Sequence, residues 1–245
     1  MIKLIDLNMK YGEHVILHDV NLTIKKGETL AVVGPSGTGK STLLKLLIGL
    51  ARPTGGQVWV DGKEISRMKD KELDEARLGM GMVFQYSALF DSMSVGENVA
   101  FGLRQHTDMG EDDIRRIVEE RLAGVGLAGL ADAMPNELSG GMKKRVGLAR
   151  ALAFKPNIIL YDEPSSGLDP IMARKIDELI LETQKEFGVT SVVVTHDMES
   201  AYRIADRIAV LYEGRFVQIG TPDEIRESDH PYVRQFVRAA SYRKE

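Results

Sequence analysis

Four stretches of this chain carry residue types and spacings suited to phosphate chemistry. The first runs Gly34-Pro35-Ser36-Gly37-Thr38-Gly39-Lys40-Ser41-Thr42, between the apolar run Thr29 to Val33 and the leucine-rich run Leu43 to Leu50. Its glycines let the backbone turn tightly and aim successive amide N–H groups inward at a helix start, where free donors and the helix dipole both favour an anion. Lys40 can then reach the β- and γ-phosphates of a nucleotide, and Ser41 offers a hydroxyl to Mg²⁺, a cation that prefers oxygen ligands. The second is Asp162-Glu163, which leaves the apolar strand pattern 157–161. Two carboxylates there are costly to desolvate without partners, and a nearby Mg²⁺ would resolve that cost. The third is His196, directly after the strand pattern 191–195. Alone it reads as a structural histidine, but in open α/β sheets ligands bind beyond the carboxyl ends of strands, an edge it shares with the first two groups. The fourth is Leu138-Ser139-Gly140-Gly141, with Ser139 placed to cap an amphipathic helix and a second helix N-terminus open to phosphate. By itself Ser-Gly-Gly is a common loop.

The elements that must hold these groups can be read from period and punctuation. Val20, Leu22 and Ile24 alternate with polar residues, and Lys25-Lys26-Gly27-Glu28 supplies a turn, so the chain begins in a β-rich lobe. Tyr11 lies between the first two strand candidates, where it could stack on a flat base or simply be half-buried. His14 and His18 share a strand face without a third ligand candidate and read as a solvated pair. Val58-Trp59-Val60 with Asp61-Gly62 adds a strand and tight turn to the same lobe. Met82-Val83-Phe84 reads as a buried strand ending at Gln85, itself either a ligand or a plain loop residue. From Val95 to Leu127 the pattern is helical: Ile114, Ile117, Val118 and Leu122 keep the 3.6 period behind Glu111, Asp112 and Asp113. Thr221-Pro222-Asp223-Glu224 joins a capping box to proline at the first helical position, and Val233, Phe236, Val237 and Ala240 follow as an apolar stripe, with Arg234, Arg238, Arg243 and Lys244 at other positions.

Composition narrows the class. A chain of 245 residues with 43% apolar residues can bury a substantial core, and a formal charge of −4 argues against a surface built for nucleic acid, leaving only local clusters such as Lys143-Lys144-Arg145. There is no cysteine, which excludes disulfides and thiolate metal sites and fits a reducing compartment. The start MIKLIDLNMK has no secretory apolar region, and no window approaches 18 apolar residues, so a membrane role is expected to come through a partner.

In order, GPSGTGKST, Gln85 after Val83-Phe84, LSGGM, IILYDEP, Ser166-Gly167-Leu168-Asp169 and Thr195-His196-Asp197 resemble the nucleotide-binding subunit of an ABC transporter over nearly the whole chain. The resemblance implies an α/β fold: a P-loop NTPase cassette with a RecA-like core, an antiparallel β subdomain and a helical subdomain. It implies an ATP-binding domain over 1–220, with the β-rich and RecA-like lobe at about 1–85 and 156–220, the helical lobe at about 86–155, and a C-terminal helical tail over 221–245. It also implies roles. Tyr11 would stack on adenine, Gly34 to Thr42 would bind the phosphates, Ser41 and Gln85 would ligate Mg²⁺, and Asp162 would hold the ion through water. Glu163 would be the general base, His196 the γ-phosphate sensor and Asp169 part of a cross-dimer loop. Ser139, Gly140 and Gly141 would bind the γ-phosphate held by a second copy, giving a homodimer with composite ATP sites. Met142 stands where glutamine is commoner, which removes a polar side chain and leaves the backbone donors.

Within the family, Phe84 to Phe101, LSGGMKKRVGLARAL and LYDEPSSGLDPI resemble the ATPases of MCE-protein lipid transporters of the lipid-asymmetry type. That implies ATP hydrolysis at the cytoplasmic face of the inner membrane, peripheral through a transmembrane permease, with an MCE-domain protein in the complex and no nucleic acid partner. The alternatives are a transporter of polar amino acids or other small solutes, and a soluble ABC ATPase, which would carry two cassettes or a long coiled coil. A regulatory module without turnover would be expected to lack Glu163 or His196. Tyr86, Leu89, Phe90 and Met93 mark a segment expected to dock the permease.

Overall fold

The computed structural model describes residues 2–241, with side chains to residue 239. The stripe position Ala240 falls outside the described side chains, and Arg243 and Lys244 outside the described residues. The chain opens with β1 (Ile2–Tyr11) and β2 (His14–Ile24), then β3 (Thr29–Val33), a loop, and α1 (Lys40–Leu47). Next come β4 (Gly55–Val60), β5 (Lys63–Glu64), α2 (Asp70–Arg77) and β6 (Met80–Val83). Three helices follow, α3 (Val95–His106), α4 (Glu111–Gly124) and α5 (Gly140–Leu152). The chain then alternates β7 (Ile158–Asp162), α6 (Pro170–Phe187), β8 (Thr190–Thr195), α7 (Met198–Ile204) and β9 (Arg207–Tyr212). It closes with β10 (Arg215–Gly220), α8 (Pro222–Arg226) and α9 (Pro231–Ser241).

Two sheets result. One is antiparallel, in the order β2-β1-β4-β5; the other runs β10-β9-β3-β8-β7-β6, with parallel pairing throughout except at the β10 edge. In the second sheet the central strands are apolar on both faces, as expected where helices cover both sides. Leu160 and Val192 point into a core shared with α1 and the antiparallel sheet, while Ile159 and Val193 join the core of the helical lobe. The period of two therefore welds the lobes together through one sheet. No helix among the described residues is long and apolar enough to cross a membrane.

Local chemistry sets the ends of the helices. Ser94 and Glu97 form a capping box on α3, and Thr221 with Glu224 does the same on α8. The tail packs on its own chain: Val233 is fully buried with Ala31, Val33 and Ile225, and the Tyr232 ring stacks on Tyr212 with centroids 3.6 Å apart. Two expectations change. Strand β6 ends at Val83 rather than Gln85: its last ladder partner is Tyr161 of β7, and Phe84 beyond it is exposed. Lys143-Lys144-Arg145 is not a basic surface patch, since Lys144 is buried and its neighbours are half-buried.

Candidate active site

The site lies where β3, β6, β7 and β8 end together. A cleft of about 330 Å³ is lined by Ser36, Gly37, Gly39, Lys40, Ser41, Thr42, Gln85, Glu163 and His196, with Ile16 of β2 on one wall. Gly39 starts α1 at φ 99° with no side-chain cap, so the first-turn amides face the cleft as donors. Gly34 has to be glycine for a different reason: a Cβ there would sit 2.3 Å from the Leu211 carbonyl oxygen. The loop is braced from inside. Lys40 Nζ donates to the carbonyls of Gly34 and Pro35 at 2.8 and 2.9 Å, and Thr38 Oγ1 donates to Pro35 at 2.9 Å.

Lys40 is buried, and burial pushes its pKa down while the carboxylates of Glu163 and Asp162 oppose the shift. Its Nζ lies 3.8 Å from Glu163 Oε1. Glu163 in turn accepts from the His196 main-chain N–H at 3.3 Å, and its Oε2 lies 2.8 Å from His196 Nδ1. The residue sits at φ 47°, a left-handed conformation costing on the order of 1–3 kcal/mol for a side chain of this kind, and is held there by its N–H bond to Val194 O at 2.9 Å. Such strain is retained where surrounding structure over-determines it, and here the residue that carries it lines the cleft.

Ser41 Oγ donates to Asp162 Oδ1 at 2.9 Å, so the hydroxyl and the carboxylate expected at Mg²⁺ are already in contact. Gln85 reaches the same cleft, its Nε2 3.4 Å from Ser166 Oγ. Hydroxyl, carboxylate and amide oxygen are all hard donors, and this set fits Mg²⁺ completed by phosphate oxygens and water. No group of three or more His, Cys, Asp and Glu able to hold a metal occurs among the described residues. When bound, the ion would neutralise phosphate charge; Ser41, Gln85 and Asp162 would hold it.

Other expected residues stand outside the cleft. Tyr11 is exposed at the end of β1, opposite His14. Ser139 caps α5, its Oγ accepting from Met142 N at 3.3 Å, and Gly140 and Gly141 begin that helix beside Leu168. A Cβ on Gly141 would meet the Met172 methyl at 2.6 Å, so glycine permits the approach of α5 to α6. Asp169 caps α6, accepting from Ile171 N and Met172 N at 3.0 Å. Thus Gly34 to Thr42, Gln85, Asp162, Glu163 and His196 converge within one chain, whereas Tyr11, Ser139, Gly140, Gly141 and Asp169 do not touch that cleft.

Residues 17–166 match the ABC transporter family. The chain belongs to that family. An ATP-binding cassette solved as a dimer in a post-hydrolysis state with ADP and Pi superposes with a TM-score of 0.83 at 38% identity, over 91% of this chain and 99% of that one. The intermembrane phospholipid transport system ATP-binding protein MlaF of Haemophilus influenzae is 43% identical over 241 residues, 98% of this chain and 91% of that protein. The "probable ribonucleotide transport ATP-binding protein mkl" of Mycobacterium tuberculosis is 46% identical over 231 residues; these are 94% of this chain, which spans only 64% of that relative's length.

Three further residues of this ABC cassette shape the site although the sequence assigns them no role there. Ile16 walls the cleft, Arg150 bonds the carbonyls of Ser87 and Ala88 at 2.8 and 2.7 Å, and Asn98 bonds Phe90 N and the carbonyls of Phe90, Met93 and Ser94. Arg150 and Asn98 pin the segment after Gln85. Leu89 of that segment packs into the helical core, while Tyr86 is 86% exposed and Phe84 and Phe90 are also exposed. Of the four residues expected to dock the permease, Leu89 packs inward, Met93 is half-buried, and Tyr86 and Phe90 stay exposed, with Phe84 exposed beside them.

Proposed function

We propose that this chain is the ATP-hydrolysing subunit of a membrane transporter that moves phospholipid, working with a transmembrane permease and an MCE-domain protein at the cytoplasmic face of the inner membrane. The observation that carries the reading is similarity to MlaF over nearly the full length of both chains. Hydrolysis follows from the cleft. Loop amides and Lys40 would grip the triphosphate, and Ser41, Gln85 and Asp162 would hold Mg²⁺, which would neutralise phosphate charge; Glu163 would accept a proton from water aligned with the γ-phosphate, its carboxylate fixed by His196. Phosphoryl transfer depends chiefly on such positioning and charge stabilisation.

The loop grips only one side of the nucleotide. Ser139 to Gly141 present a second helix start with no role in their own cleft, and in a twofold dimer each would close the partner's site, with the Asp169 loop between them. Head-to-tail pairing makes both sites composite. The exposed aromatics Tyr86, Phe84 and Phe90 then offer the permease an apolar contact beside Gln85.

A second reading, transport of a small polar solute, draws support from similarity to the mycobacterial protein named for ribonucleotide transport. Co-purification from membranes separates the two. A permease and an MCE-domain protein with phospholipid in the eluate supports lipid transport; a permease with a periplasmic-type solute receptor and no MCE-domain protein contradicts it.

A further inference from the structure

Lys144 lies in the second turn of α5 and is only 7% exposed. Its ammonium is aimed at main chain: Nζ donates to the Ser166 carbonyl at 2.6 Å and to the Glu163 carbonyl at 3.4 Å. The Glu163 carbonyl also accepts from Ser166 N at 3.1 Å, closing the turn that leads out of β7. This is the same residue whose backbone is held at φ 47°. A buried ammonium is expensive, and burial pushes the Lys144 pKa down with only the Glu163 carboxylate opposing it. An apolar side chain would fill the space without that penalty, so packing alone does not account for lysine here.

The placement of α5 gives the contact its meaning. The helix begins at Ser139 to Gly141 and ends near Arg150, which holds Ser87 and Ala88 in left-handed conformations beyond Gln85. Between those ends, Lys144 is the point at which the helical lobe grips the backbone carrying the carboxylate. We propose that Lys144 is a positioning residue for hydrolysis: it ties the helix that starts at Ser139 to the Glu163 turn, so that Glu163 is aimed at water only when α5 is seated. The inference rests on Glu163 being the general base.

The test is steady-state ATP hydrolysis by the full chain carrying Lys144→Met, Lys144→Ala or Lys144→Arg, with Glu163→Gln in parallel and unfolding midpoints for each. Misplacing a catalytic group by an ångström can cost ~10²-fold. The expected result is a fall in kcat of about 10- to 100-fold for Met and Ala with KM for ATP little changed, and recovery of most of kcat by Arg, which restores the donors. Should the Met variant fail to fold, the Ala variant decides, since alanine favours the helix. Wild-type kcat in the Ala variant, a rise in KM with kcat unchanged, or an Arg variant no better than Ala overturns the proposal. If Glu163→Gln is inactive while Lys144→Ala is unimpaired, this inference alone falls; if Glu163→Gln keeps turnover, the base assignment falls and takes it along.

Discussion

Exchanging Glu163 for glutamine removes one charge and almost no volume, so its effects can be apportioned. The carboxylate lies 2.8 Å from His196 Nδ1 and accepts from the His196 N–H at 3.3 Å. An amide oxygen can keep one of these contacts, and the left-handed backbone held by Val194 O is untouched. What disappears is the proton acceptor. General acid–base assistance is worth typically ~10²–10⁴-fold, or roughly 3–5 kcal/mol of barrier, and Glu163→Gln should lose turnover of that order. Binding should survive or tighten, because the loop amides remain and an anion 3.8 Å from Lys40 Nζ has gone, freeing the ammonium for phosphate. The assay is kcat for ATP hydrolysis alongside equilibrium nucleotide affinity on the same preparation. Near-wild-type turnover with affinity unchanged would refute the role given to Glu163.

Lys40→Ala should behave differently: it loses a charge-assisted contact worth roughly 1.5–3 kcal/mol, so ATP affinity should fall on the order of 10- to 100-fold along with turnover, read by nucleotide titration. Tyr86→Asp should weaken permease association without lowering the unfolding midpoint, because the ring is 86% exposed, whereas Leu89→Asp should destabilise the subunit itself; pull-down and thermal melts separate them. Val233→Ala deletes fully buried methyl groups and should cost about 2 kcal/mol in urea unfolding, and deletion from Asp229 onward more, since the Tyr232 stack is lost with it. Unchanged stability in both would show that α9 does not help hold the subunit together.

The phosphate loop and the strand ends were legible because their causes are local. Glycines at 34 and 39 answer to a close approach and a left-handed helix start, and the apolar runs Ile158–Leu160 of β7 and Val192–Val194 of β8 show because both faces of the sheet are covered. Helix α2 was not legible: only Leu73 of its eight residues is buried, so it has no apolar stripe to show a period. Leu89 and Phe90 are indistinguishable by hydropathy, and only packing against the helical core sends one inward and leaves the other exposed. Ile16 walls the cleft because β2 passes beside Gly39, a long-range approach without a sequence signature. Lys144 was hidden for the opposite reason. Next to Lys143 and Arg145 it reads as one member of a charged surface cluster, and its partners are carbonyls, which no residue type announces.

The measurement that bears most directly on the account is the mass of the Glu163→Gln chain in sedimentation, with ATP and Mg²⁺ and without them, over a range of protein concentrations. Each cleft presents one wall to the triphosphate and each Ser139 helix start lacks a role in its own cleft, so ATP should act as the adhesive between two copies. The account predicts a shift from monomer to dimer that requires ATP and is abolished by Gly140→Asp, which would place a carboxylate against the partner's phosphates. A chain that binds ATP and stays monomeric at every concentration, or dimerises equally without nucleotide and with Gly140→Asp, would contradict it.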